Sequence, residues 1–220
     1  MLGAGVIADR ESEKTDPRVL RTRKLIAEAF LAALTEKGFE ELSVQDVTDH
    51  AGINRATFYA HYADKYDLMA EWIRKDFTGR LEDWNLVDRD LSAEAVRDLF
   101  ASVCAYVAGL HGHCKPPHRH LDWMLEQEIS GCCADLFCRW AGKRDKSPGD
   151  VPQRLRSTAA AGALYALVLE WLRAEKGAEP ETFVTPVLPF VTDILRVGAL
   201  QDSPRRAKED RPCPSTTMPI

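Results

Sequence analysis

From residue 17 to about residue 200 the apolar positions recur at helical spacing, and no stretch alternates for long enough to predict a strand. Leu25, Ile26, Ala29, Phe30, Ala33 and Leu34 predict an amphipathic helix that opens near Pro17, a residue suited to a first turn, and stops at Gly38. Ser43 with Asp46 three positions on predicts a capping box, with aspartate in the usual place of glutamate. The short helix it opens carries Val44, Val47 and Ala51 and ends at Gly52. Asn54 is placed to cap RATFYAHY, and Asp64 to cap a longer helix marked by Leu68, Trp72, Ile73, Phe77, Leu81 and Trp84.

Beyond residue 86 the predicted helices become longer and more apolar. Ser92 caps a segment with Val96, Leu99, Phe100, Val103, Val107 and Leu110. Leu121, Met124, Leu125, Ile129, Cys132, Leu136 and Trp140 form the next stripe, with Gly131 as a candidate interruption. KRDKSPGDVP is a loop, and STAAAGALYALVLEWLRAEKG is apolar nearly all round, as core or interface helices are. A last segment falls within 181–199, its start blurred by Pro186 and Pro189. The expected fold class is all-α: an N-terminal three-helix unit with a helix-turn-helix, followed by a larger all-helical domain. The expected divisions are an arm at 1–16, a head at 17–64, a helical domain at 65–200 and a disordered tail at 201–220.

Composition narrows the classes further. No apolar run approaches the ~20 residues that span a bilayer. The N-terminus lacks the basic start and long apolar run of a secretory signal. Six cysteines without such a signal are most simply reduced thiols, so a cytoplasmic location is expected. The net charge of −5 offers no global case for nucleic acid, so any such case must come from one face.

That face is found in residues 18–68. Phe58 and Tyr62 point inward with Val47 and Ile53, which leaves Arg55, Thr57, Tyr59 and His61 facing away with groups that suit base edges and phosphates. Arg18, Arg21, Arg23 and Lys24 crowd the start of the first helix, where the dipole disfavours cations and an adjacent phosphate backbone would account for them. Lys65 and the amide end at Ser43 are further phosphate positions.

The run LIAEAFLAALTEKGFEELSVQDVTDHAGINRATFYAHYADKYDLM resembles the DNA-binding domain of TetR-type transcriptional regulators. The likeness rests on Gly-Phe before the second helix, the Ser43 cap, the AGI turn, TFYxHY and the following DKxxL. It departs at Tyr62, where the family usually has Phe. Matched residue by residue, the resemblance implies DNA contacts from Thr57, Tyr59 and His61, base reading from Arg55, and phosphate contacts from Ser43 and Lys65. Arg21, Gln45 and Ala56 complete the expected interface. The resemblance also implies a homodimer on double-stranded operator DNA, its C-terminal domain dimerising through the last two helices and enclosing a small-molecule effector. The implied function is a repressor released from a palindromic operator.

Trp84, Phe100, Tyr106, Trp123, Trp140 and Tyr165 are candidate linings of the effector pocket. Ala159, Ala161, Gly162 and Ala163, with Leu164, Leu167, Val168 and Trp171, are the candidate dimer surface. Cys132, Cys133 and Cys138 suggest a thiol sensor, against which Cys132 belongs to an apolar stripe. The stretch HGHCKPPHRH holds four of the six histidines. His111, His113, Cys114, His118 and His120 have donor atoms for zinc or copper, but Pro116 and Pro117 divide them, so no two form an i,i+4 pair on a regular helix. A connector is the preferred reading, with no cofactor expected. A metal-sensing regulator is the alternative, and a metal-dependent enzyme the rival class. Phosphate loops, nucleophile elbows and HExxH are absent from the sequence.

Overall fold

The computed structural model describes residues 16–113, 119–142, 151–174 and 179–196. Among these the chain is helical, and no strand occurs. The helices are α1 (Pro17–Lys37), α2 (Val44–Ala51), α3 (Arg55–Tyr59), α4 (Lys65–Asp83), α5 (Ala93–His113), α6 (Arg119–Ala141), α7 (Gln153–Arg173), α8 (Pro180–Val184) and α9 (Leu188–Arg196). None is long and apolar enough to cross a membrane.

The expected caps are built as the residues dictate. Asp16 Oδ1 accepts from the Arg18 amide at 2.8 Å and starts α1. At α2, Ser43 Oγ accepts from the Asp46 amide at 3.2 Å while Asp46 Oδ2 accepts from the Ser43 amide at 2.9 Å. That is the reciprocal capping box, with aspartate as its acid. Asn54 Oδ1 accepts from the Thr57 amide at 2.7 Å to start α3. Asp64 Oδ1 accepts from the Tyr66 and Asp67 amides at 2.8 Å to start α4. Between α2 and α3 the chain turns at Gly52, whose φ of 63° is left-handed and favours glycine.

α1, α2 and α3 close over Ile26, Phe30, Phe39, Leu42, Val47 and Phe58, all buried. Leu25 departs from the expected stripe: it lies at the edge of the buried face and is 41% exposed. The helix expected over RATFYAHY is shorter than its sequence, since α3 ends at Tyr59 and a turn carries the chain on to Tyr62.

The larger domain packs α6 against both α4 and α7, and α9 against α7 and α5. Phe77, Phe100, Val103, Leu125, Ile129, Phe137 and Val168 fill its interior. α6 runs unbroken through Gly131, so the expected interruption does not occur. Leu121, Met124, Leu125, Ile129, Leu136 and Trp140 of the expected stripe are buried, but Cys132 is half-buried at its edge and Cys133 is the fully buried cysteine. The final segment splits into α8 and α9 around Pro186. Trp140 Nε1 donates to the Leu86 carbonyl at 2.7 Å, tying the end of α6 to the chain just beyond α4.

Candidate nucleic-acid interface

α3 is two-faced. Phe58 is fully buried and its ring meets Tyr62 at 5.8 Å, so the inward side is fixed by packing. On the outward side Tyr59 is 49% exposed, and its hydroxyl accepts from an Arg55 guanidinium nitrogen at 3.2 Å. The Arg55 guanidinium carbon lies 5.9 Å from the Tyr59 ring centre. The two side chains thus face outward together from adjacent turns of α3. Ala56 is exposed beside them, and Thr57 is half-buried with its hydroxyl 3.0 Å from Asn54 Oδ1. His61 is half-buried in the turn after α3.

The start of α2 flanks this face. The Ser43 hydroxyl lies 2.7 Å from Asp46 Oδ2 and is engaged within the capping box. Lys37 Nζ donates to Asp46 Oδ1 at 2.5 Å. That bond, first, and those from Ser43 hold the Asp46 carboxyl far below the ordinary carboxylate range. Gln45 Nε2 donates to Asp49 Oδ1 at 2.6 Å along the exposed side of α2. Arg21 is exposed on α1.

Two of the expected phosphate-facing cations make contacts within the fold. Lys65 Nζ donates to the carbonyls of Phe39 at 2.9 Å, Glu40 at 3.2 Å and Leu42 at 2.8 Å. An ammonium has three donors, so these carbonyls fill its capacity and bolt α4 to the α1–α2 corner. Burial there pushes the Lys65 pKa down. Arg23, from the basic block, donates to Glu71 Oε2 at 2.5 Å, and its guanidinium sits 4.8 Å from the Tyr62 ring centre. The Tyr62 hydroxyl in turn donates to Glu71 Oε1 at 3.1 Å. Spacing alone does not reveal Glu71. The clue in the sequence is Tyr62 itself, a hydroxyl at a position that packs inward and so needs a partner.

Residues 26–72 match the family model described as bacterial regulatory proteins, tetR family. Over those residues the chain is similar to the N-terminal domain of that family. Among curated proteins it is 42% identical over 77 residues to the uncharacterized HTH-type transcriptional regulator YxbF of Bacillus subtilis strain 168, over 34% of this chain and 20% of that protein. It is 31% identical over 62 residues to DhaS, the HTH-type dhaKLM operon transcriptional activator of Lactococcus lactis strain IL1403, over 28% of this chain and 33% of that protein. The chain thus spans only a fifth and a third of these relatives' lengths. Among solved structures, the fatty acid degradation regulator FadR from Bacillus halodurans aligns over 80% of this chain and 96% of its own, with 16% identity and a TM-score of 0.45.

Outside residues 26–72, the aromatic candidates separate. Phe100, Tyr106, Trp140 and Tyr165 are buried: Phe100 stacks on Phe183 at 6.2 Å, Tyr106 tilts against Phe77 at 5.1 Å and Trp140 meets Phe137 at 5.7 Å. Trp84 is half-buried against Phe77 at 6.3 Å. Trp123 is 62% exposed on α6 and does not face the interior, contrary to its expected place in a pocket. None of the six lines either of two open grooves. One, of about 980 Å³, lies between α1 and α4 and includes Leu20, Arg23, Leu31, Tyr62, Glu71 and Trp72. The other, of about 420 Å³, lies between α7 and α9 and includes Ala163, Leu167, Phe190, Val191 and Ile194.

On α7, Ala159 and Gly162 are exposed and Ala163 and Leu167 half-buried, but Ala161, Leu164 and Val168 of the expected dimer surface are core, and Trp171 is half-buried against that core. Ala166 and Phe190 take the outer positions. In the histidine stretch, His111 Nε2 lies 2.8 Å from Asp122 Oδ1. Cys114 and His118 lie outside the described residues, as do the side chains of His113 and His120. Burial raises the thiol pKa values of Cys132 and Cys133 and pushes that of Cys104 up to about 12, which works against thiolate chemistry at neutral pH.

Proposed function

We propose that this protein is a sequence-specific, DNA-binding transcriptional regulator, a binding protein rather than an enzyme. The observation that carries the reading is α3 itself: one side sealed by Phe58, the other presenting the hydrogen-bonded Arg55–Tyr59 pair with Ala56 and Thr57 beside it. Arg21, Ser43, Gln45 and His61 supply flanking contacts to DNA in this reading. Lys65 acts through the fold. One such unit reads too few base pairs for operator specificity, so two copies related by a two-fold axis would place their α3 helices in successive major grooves about 34–36 Å apart. The groove between α7 and α9, with Phe190 70% exposed beside Ile194 and Leu167, supports pairing through that face.

The domains then divide as head, residues 17–64, and effector-binding and dimerising part, residues 65–200, with α4 as the lever between them. We favour a repressor released from a palindromic operator by a small-molecule effector. The name of DhaS, an activator, marks the other polarity. Promoter output measured with and without the regulator decides between them. Tyr59→Ala tests the reading: it abolishes binding to a duplex selected by the wild-type protein and leaves the dimer intact by light scattering. Unchanged affinity at the same salt concentration would place the reading helix elsewhere.

A further inference from the structure

Tyr62 stands at a position where the resembled family usually has Phe, and its hydroxyl is not idle. Three elements meet at Glu71. Its Oε2 accepts from Arg23 of α1 at 2.5 Å and its Oε1 from the Tyr62 hydroxyl at 3.1 Å, while Glu71 itself belongs to α4. Tyr62 is bound in turn to the reading helix, since its amide donates to the Phe58 carbonyl at 3.0 Å and the two rings pack together. Glu71, Arg23 and Tyr62 all line the open groove between α1 and α4, so their polar contacts bridge a gap that apolar packing leaves unfilled.

We propose that Glu71 is a positioning residue for the reading helix, holding Arg23 and the Tyr62 hydroxyl together so that α3 meets DNA at one fixed angle to α1 and α4. The inference rests on the DNA-binding reading and deepens it, because it names what sets sequence discrimination from outside the contact surface. Burial foremost pushes the Tyr62 pKa up to about 12, so the phenol remains a donor through the neutral range. Burial opposes the charge of Arg23, but Tyr62 and Glu71 outweigh it and raise its pKa. The latch is therefore intact at neutral pH.

Contacts to phosphates tolerate small rotations of α3, whereas base contacts need one register. Loosening the latch should thus weaken specific binding and spare non-specific binding. The probes are a duplex enriched from a random pool by the wild-type protein, and a random-sequence duplex of the same length. Glu71→Ala is expected to weaken binding to the enriched duplex about tenfold, the scale of one charge-assisted hydrogen bond, with random-duplex affinity within about twofold of wild type. Tyr62→Phe, which keeps the ring and so the core, is expected to cost about threefold on the same duplex. The exchanged pair Arg23→Glu with Glu71→Arg is expected to recover most of the loss seen in either single variant. An unchanged ratio of the two affinities in both Glu71→Ala and Tyr62→Phe would overturn the proposal. So would a parallel loss of both affinities with a lowered melting temperature, or an exchanged pair no better than its singles. A wild-type protein that enriches no sequence would remove the DNA-binding reading and this inference with it.

Discussion

Lys65 shows how far a residue's role depends on what its neighbours leave unsatisfied. Its place just beyond α3 suits a phosphate, yet the α1–α2 corner presents three carbonyls within its reach, and they take all of its protons. Lys65→Met should therefore cost about 1–3 kcal/mol of stability in denaturant unfolding, because buried carbonyls lose their donor. The salt dependence of DNA binding should not change with it. Arg21→Ala should do the reverse, leaving stability alone and lowering the slope of log affinity against log salt by about one. A reduced slope in Lys65→Met would restore the phosphate role. Sequence could not separate these two cations, because each is a positive residue near the expected interface. Only the path of the chain from Phe39 to Leu42 decides between them.

At the scale of elements, α1 and α2 are joined by a histidine with acceptors on both sides. His50 Nδ1 lies 2.9 Å from the Asp46 carbonyl oxygen and its Nε2 lies 3.4 Å from Glu36 Oε2. A neutral imidazole has one donor and cannot serve both, so the pairing favours the imidazolium. The Asp46 carbonyl, then the Glu36 carboxylate, accordingly raise the His50 pKa. A histidine whose pKa is raised on folding contributes stability that is fully present below its unfolded value near 6.5 and is lost as pH rises through the folded value. Melting temperature should thus fall as the pH is raised from about 6 through the raised pKa, and His50→Gln should flatten that part of the profile. A parallel profile in the variant would show that the contact is inert.

The elements themselves were largely legible, because helix caps are local chemistry: Ser43, Asn54 and Asp64 each mark a start that the structure confirms. The breaks were harder to read. Gly131 suggested an interruption in α6, but a glycine inside a helix costs only about 1 kcal/mol, and burial of Ile129, Cys133 and Phe137 on either side carries the helix through. The latch at Glu71 was harder to read for a different reason: Tyr62 signals that a partner is needed, but Arg23 and Glu71 lie 48 positions apart and no periodicity encodes that contact.

For the whole molecule, the unresolved balance is between core and contact surface on α7. Its sequence is apolar nearly all round, so sequence alone could not divide the two; the packing of α6 and α9 does. Ala161, Leu164 and Val168 go to the core, and Ala163, Ala166 and Leu167 with Phe190 and Ile194 go to an outer groove. Phe190→Asp should give a folded chain of unchanged helicity that sediments as a monomer and binds the enriched duplex far more weakly. A dimer that survives this change would move the pairing surface elsewhere.

α4 is clamped near both ends, by the Lys65 ammonium at its first residue and by the Trp140 indole on Leu86 just past its last. A lengthwise slide of α4 would strain the hydrogen bonds of Lys65 at its start. What remains is flexure and torsion. Gly79, on the wall of the open groove with nothing within 4 Å of where a side chain would begin, leaves room on one side for α4 to bow. If the proposed effector acts through α4, Gly79→Ala, which adds a side chain in open space and stiffens the helix there, should weaken the effector's influence on DNA binding.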